Sequence, residues 1–222
     1  MQLESAVADL VRKIVREWNR AERAIKIAEQ VLGEDPFPSV KELRYAGRRF
    51  VEAFDKVDNG TSLEDTLALL SDALFDCFRA KHDAMDVAVN EIAGRIKFAQ
   101  DDLGVAAVVS CFPEFPKLIN IMTDFESKIA ACREKRDTRD TVYDEIQSNF
   151  DDVIDLYGKF KSSEAIMKQI ADEAAKRGGA LLAKVEQSEA RATAADKKAR
   201  RATYISYALA GVSILLTVVL AS

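Results

Sequence analysis

Apolar residues recur along this chain in steps of three and four. Leu3, Val7, Leu10, Ile14, Trp18, Ala21, Ile25, Ala28 and Leu32 mark one face of a 3.6-residue period and predict a first helix from about Gln2 to Leu32. The "GEDPFPS" stretch stops it. Ser39 with Glu42 three residues later has the capping-box spacing, so a second helix should start there, with Val40, Leu43, Ala46, Phe50, Phe54 and Val57 inward. Asn59 and Gly60 end it, and Thr61 or Ser62 opens a third. The third stripe runs through Leu63, Leu67, Leu70, Leu74, Cys77, Lys81, Ala84, Ala88, Ile92, Ile96, Ala99 and Leu103. Short turns between three such helices predict an antiparallel bundle over residues 1–103.

Residues 104–116, "GVAAVVSCFPEFP", interrupt the pattern. Pro113 and Pro116 cannot sit inside a regular helix, and the apolar stretch before them is too short to span a bilayer. Two readings stand here: a buried connector, or a segment that touches a membrane during a conformational change. Residues 117–177 then carry a heptad-like run: Leu118, Met122, Phe125, Ile129, Cys132, Arg136, Arg139, Tyr143, Ile146, Phe150, Val153, Tyr157, Phe160, Glu164, Met167, Ala171 and Ala174. That is coiled-coil length. Arg136 and Arg139 cut the apolar seam, either as a charged layer that sets register or as a solvated turn between two shorter helices. Gly178 and Gly179 each cost roughly 1 kcal/mol inside a helix, and place a hinge ahead of an Ala-rich stalk over 178–203.

From Tyr204 to Ser222 no charged residue appears. A helix of that length, rising 1.5 Å per residue, just covers a hydrocarbon layer of roughly 30 Å. Lys197, Lys198, Arg200 and Arg201 stand before it, and Tyr204 and Tyr207 fall where aromatic side chains meet the headgroups. A buried core helix would normally be shorter and keep a polar stripe, so the run is expected to be a single transmembrane helix. By the positive-inside rule the bulk of the chain lies in the cytoplasm. The opening residues lack the apolar core of a signal peptide, which gives a tail-anchored topology. Across the expected boundary, Ala192, Ala195, Ala199, Ala202, Ser206, Ala210, Ser213 and Thr217 continue the three- and four-residue steps. Small residues let backbones approach closely in lipid, so this seam predicts helix association and a homo-oligomer.

Composition agrees with an all-α chain. The 222 residues include only 9 Gly and 4 Pro, against 48% hydrophobic residues. Lys and Arg number 32 against 37 Asp and Glu, a net charge of −5, which offers nucleic acid no basic stripe. Cys77, Cys111 and Cys132 are widely spaced and read as reduced thiols of a cytoplasmic protein. The one histidine, His82, reads as a surface residue flanked by acids; with Asp86 it offers two metal ligands, short of a closed site. No phosphate loop, nucleophile elbow or Cys–His arrangement occurs, and neither an enzyme nor a cofactor is expected.

Three functions fit. The first is a membrane-anchored, self-associating protein that presents a cytoplasmic helical bundle to protein partners. The second is a membrane-active effector that oligomerises and perturbs the bilayer when triggered. For the third, an N-terminal bundle, a long heptad segment and a C-terminal anchor resemble the layout of syntaxin-type SNARE proteins, which implies tethering or fusion. In that family the heptads reach the anchor around a central glutamine layer; here Gly178 and Gly179 intervene and Gln169 lies off the stripe.

Overall fold

The computed structural model describes residues 5–60, 62–134 and 138–220, the side chains of 134, 202 and 204–220 excepted. Among the described residues every regular element is helical: α1 (Ser5–Leu32), α2 (Phe37–Asp58), α3 (Leu63–Phe98), a π turn (Ala99–Leu103), α4 (Val105–Cys111), α5 (Phe115–Glu134) and α6 (Arg139–Leu220). The chain divides into two compact units, Met1–Lys168 and Gln169–Ser222.

In the first unit α3 is central. It is flanked by α1 and α2, which scarcely touch each other. Val7, Ile14, Ala21, Ile25 and Ala28 of α1 and Leu70, Cys77, Ala84, Ala88 and Ile92 of α3 are buried at the expected spacing. Alanine at Ala21, Ala24, Ala28, Ala73, Ala80, Ala84 and Ala88, all buried, lets these backbones pack closely. The core continues without a break into α5 and the first part of α6, through Phe115, Leu118, Phe125, Phe150, Phe160 and Met167. The bundle expected to end at residue 103 therefore shares one core with chain as far as Met167, and the division falls at 168/169.

The long heptad run is two helices. Phe125 stacks on Phe150 at 5.8 Å between centroids, Phe115 on Phe160 at 5.8 Å, and Lys128 reaches Glu145 at 2.7 Å. In each pair one number rises as the other falls, the signature of an antiparallel hairpin. Of the two readings for the arginines, the turn holds: α5 ends at Glu134 and α6 opens at Arg139, while Arg136 lies outside the described residues. Apolar spacing alone does not distinguish one long helix from two that fold back on each other.

One cap agrees with expectation and one differs. At Ser62 the hydroxyl accepts from the Asp65 N–H at 3.2 Å and starts α3. Helix α2, by contrast, starts at Phe37, because Pro36 and Pro38 preset the helical φ of a first turn. Ser39 is thus inside the helix, buried, with its hydroxyl unpaired, and Glu42 turns to Arg79 at 3.1 Å. Gly33 (φ 79°) and Gly60 (φ 66°) close α1 and α2 in a left-handed conformation that side chains rarely adopt.

The segment expected as a connector is a half-buried helix, α4, anchored by Val108, Phe112 and Phe115. Helix α6 continues unbroken through Gly178 and Gly179, so no break separates bundle from stalk there. Strong helix formers on both sides, such as Ala174, Ala175, Leu181 and Leu182, offset the glycine penalty. Among the described residues no single helix is long and apolar enough to cross a membrane; Val105–Cys111 and Phe115–Arg133 reach that apolar length only together, bent by 111°.

Candidate functional site

The interior where α1, α3 and α6 meet is charged. Lys81 of α3, on the apolar stripe, has 0% of its side chain exposed. Its Nζ lies 2.6 Å from Asp144 of α6 and 3.5 Å from Glu17 of α1, itself buried. Arg20, one turn beyond Glu17, bonds Glu17 at 2.9 Å and Asp144 at 2.8 Å. Arg16 also reaches Glu17 at 3.1 Å, so three cations surround two carboxylates, and Gln147 fastens α6 further by donating to the Arg20 carbonyl at 2.7 Å. Lys81 also lies over the Phe78 ring at 5.2 Å.

His82 comes next on α3. It is buried, stacked between Phe78 (6.4 Å) and Tyr143 (4.2 Å). The surface position expected from its acidic neighbours is corrected: helical spacing turns the ring toward α6, where Tyr143 covers it. Burial, followed by the charges of Arg139 and Lys81, pushes the imidazole from its ordinary 6.5 down to about 3, so it is neutral at pH 7. Its Nε2 stands 2.9 Å from the Asp140 carboxylate but is not aligned for a hydrogen bond. Asp140 titrates above the usual carboxylate range, chiefly because it is desolvated, with Lys81 opposing. Tyr143 donates its hydroxyl to Asp86, and desolvation and that bond both hold the phenol protonated. Arg139 lies over the Tyr143 ring at 5.6 Å, and Arg133 reaches Asp86 at 3.5 Å.

A smaller layer joins α2 to α3. Arg49 bonds Asp76 at 2.6 Å, and burial raises the Asp76 carboxyl despite that arginine. These layers suit positioning better than catalysis. The Lys81 amine is fully covered, and its partners already occupy its hydrogen bonds. A buried ion pair contributes little net stability over an apolar pair, but it penalises any register in which a charge loses its partner. No set of three or more metal-ligating side chains converges among the described residues. Cys77 and Cys132 are buried and Cys111 half-buried, all as free thiols, and desolvation pushes the Cys77 thiol up to about 12.

The sequence-derived residues lie elsewhere, in the second unit. Residues 172–201 of α6 are exposed on every side. Ala192, Ala195 and Ala199 share a face of this helix, with Leu181 (65% exposed), Leu182 (66%) and Val185 leading into it. Lys197, Lys198, Arg200 and Arg201 are exposed too, with Arg200 paired to Asp196 at 3.1 Å. The side chains of Ala202, Tyr204, Ser206, Tyr207, Ala210, Ser213 and Thr217 lie outside the described residues. The buried layer was missed because Glu17 and Asp144 fall off the apolar stripes; the one available signal was a lysine on a stripe, at Lys81. Compared with models of protein families, with curated proteins and with solved structures, the chain finds no match.

Proposed function

We propose that this protein is a non-enzymatic, membrane-anchored oligomer. The uncharged run 204–222 is its span, residues 169–203 of α6 associate with another copy, and the unit up to residue 168 is presented to partners on the cytoplasmic side. The observation that carries the reading is the exposure of α6 beyond residue 171. An isolated helix gains little from propensity alone and is ordinarily held by packing of one face. Here the face with Leu181, Val185, Ala192, Ala195 and Ala199 is exposed among the described residues. A second copy of the same helix is the simplest cover for it. The basic group Lys197, Lys198, Arg200 and Arg201 sets the orientation.

The test is fractionation. The full chain stays with membranes through alkaline and high-salt washes, whereas a chain cut after Arg201 leaves them. Recovery of the full chain in the wash would refute the anchor.

A second reading, a bilayer-perturbing effector, draws on α4 and α5, which together have the apolar length of a span. Its mark would be a large closed ring in detergent, where the anchored scaffold gives a small oligomer. The tethering reading loses support, because the heptad run it needs is divided between two helices, α5 ending at Glu134 and α6 opening at Arg139, that pack antiparallel.

A further inference from the structure

Helices α1 and α2 leave a largely apolar groove between them. It holds about 310 Å³ and is lined by Ile14, Val15, Trp18, Gly47, Phe50 and Val51, with Asn19 its one polar side chain. Gly47 sits against the Trp18 ring, which a Cβ there would meet at 3.1 Å, so the missing side chain lets the indole edge approach α2. On the outer side of α2, Phe37, Val40, Arg44, Gly47, Val51 and Phe54 recur at steps of three and four, the spacing of a helix seam. Phe37 (73% exposed), Val51 (67%) and Val40 face solvent, while Gly47 and Phe54 are partly covered.

The rims of the groove carry opposite charges at matched levels. The short turn 33–36 makes α1 and α2 antiparallel, and Gly47 against Trp18 fixes their register. One turn from that contact toward the connection stand Glu22 on α1 and Arg44 on α2, both exposed and neither in an ion pair. Toward the other end stand Arg12 on α1, which also pairs with Asp9 one turn away, and Asp55 on α2. A two-fold axis along the groove, in the plane of contact, keeps each level and exchanges the two helices. Glu22 of one copy then faces Arg44 of the other, Arg12 faces Asp55, and the exposed Val15 and Val51 close over each other.

We propose that the α1–α2 face is an interface between two copies of this chain, related by that two-fold axis. It uses residues distinct from the α6 face and brings the bundles together directly, beyond any association of the anchors.

The test uses full-length chains in membranes, with Cys111→Ser and one introduced cysteine per chain, Val15→Cys in one population and Val51→Cys in the other. A short bis-maleimide should join the two populations well above a control pair of Val15→Cys with Phe75→Cys. Placing Glu22→Arg in both populations, or Arg44→Glu in both, should lower the yield roughly tenfold, because like charges then oppose twice per dimer. Placing Glu22→Arg in one population and Arg44→Glu in the other restores opposite charges across the contact and should restore the yield. A yield no higher than the control pair, or one indifferent to the charge reversals, overturns the proposal. Crosslinks at Leu181→Cys, measured in parallel, report α6 association separately, so either interface can fail while the other stands.

Discussion

Lys81 and Asp144 meet at 2.6 Å in the interior of the first unit and tie α3 to the start of α6. Glu17 and Arg20 bring α1 to the same point, so one charged layer sets the register of three helices. Replacing Lys81 by Met removes the one fully buried cation and leaves Glu17 to Arg16 and Arg20, and Asp144 to Arg20, both arginines being partly exposed. With that partial compensation the loss of the Lys81 hydrogen bonds should destabilise the bundle by about 1–3 kcal/mol. Denaturant unfolding of the chain cut after Arg201 measures this. Adding Glu17→Gln and Asp144→Asn to Lys81→Met should recover much of the loss, and a Lys81→Met variant as stable as the parent would mean that the layer is hydrated.

Acid should weaken the fold before it reaches the ordinary carboxylate range. The folded state holds His82 down near 3 while the unfolded chain protonates near 6.5, so stability is full above 6.5 and lost as pH falls toward 3. Between pH 7 and pH 5 the loss is about 2 kcal/mol. Asp76, Asp83 and Asp140 act in the opposite sense: their folded values lie above 3.8, so protonation on acidification favours the folded form. The His82 loss begins as pH falls through the unfolded value of 6.5. Melting temperature against pH should therefore fall from 7 to 5, and His82→Gln should flatten that slope. An equal slope in both chains would place His82 in water.

Burial separates two leucines that composition treats alike. Leu70 is fully covered between the helices, so Leu70→Ala should cost about 2–5 kcal/mol in lost contacts and cavity. Leu181→Ala should leave the melting of the bundle unchanged and lower only the yield of α6 crosslinking. The reverse pattern would mean that the core and the exposed face have been exchanged.

The thiols should label in a fixed order. Cys111, half-exposed on α4, should react with maleimide first, whereas Cys77 and Cys132 wait for unfolding. Burial raises both protected thiols, which further reduces their reactive thiolate. Mass spectrometry of a timed labelling series reads the order, and early modification of Cys77 would contradict the packing of α3 between α1 and α2.

Helix identity was legible because periodicity reports which face is buried, and the stripes of Val7 to Ala28 and Leu70 to Ile96 mark core positions directly. Where a helix folds back was less legible: Phe125 and Phe150 stay in phase with one long seam although they face each other across a hairpin. The start of α2 followed its prolines, whose fixed φ outweighed the capping pattern at Ser39. The buried layer was hidden for a different reason. Its partners Lys81, Glu17 and Asp144 are far apart in sequence, and although Lys81 stands on an apolar stripe, Glu17 and Asp144 taken alone read as solvated charges on a helix.

The central claim is that α6 beyond residue 171 is covered by the same helix of another copy. A cysteine moved singly through positions 178–203 of the full chain in membranes, with Cys111→Ser, tests it most directly by oxidative crosslinking. The account predicts a yield that rises and falls with the helical period, with maxima at Leu181, Val185, Ser188, Ala192, Ala195 and Ala199 and minima on the opposite face. A flat profile, or maxima on the opposite face at Ala183, Glu186, Ala190 and Lys197, would contradict it.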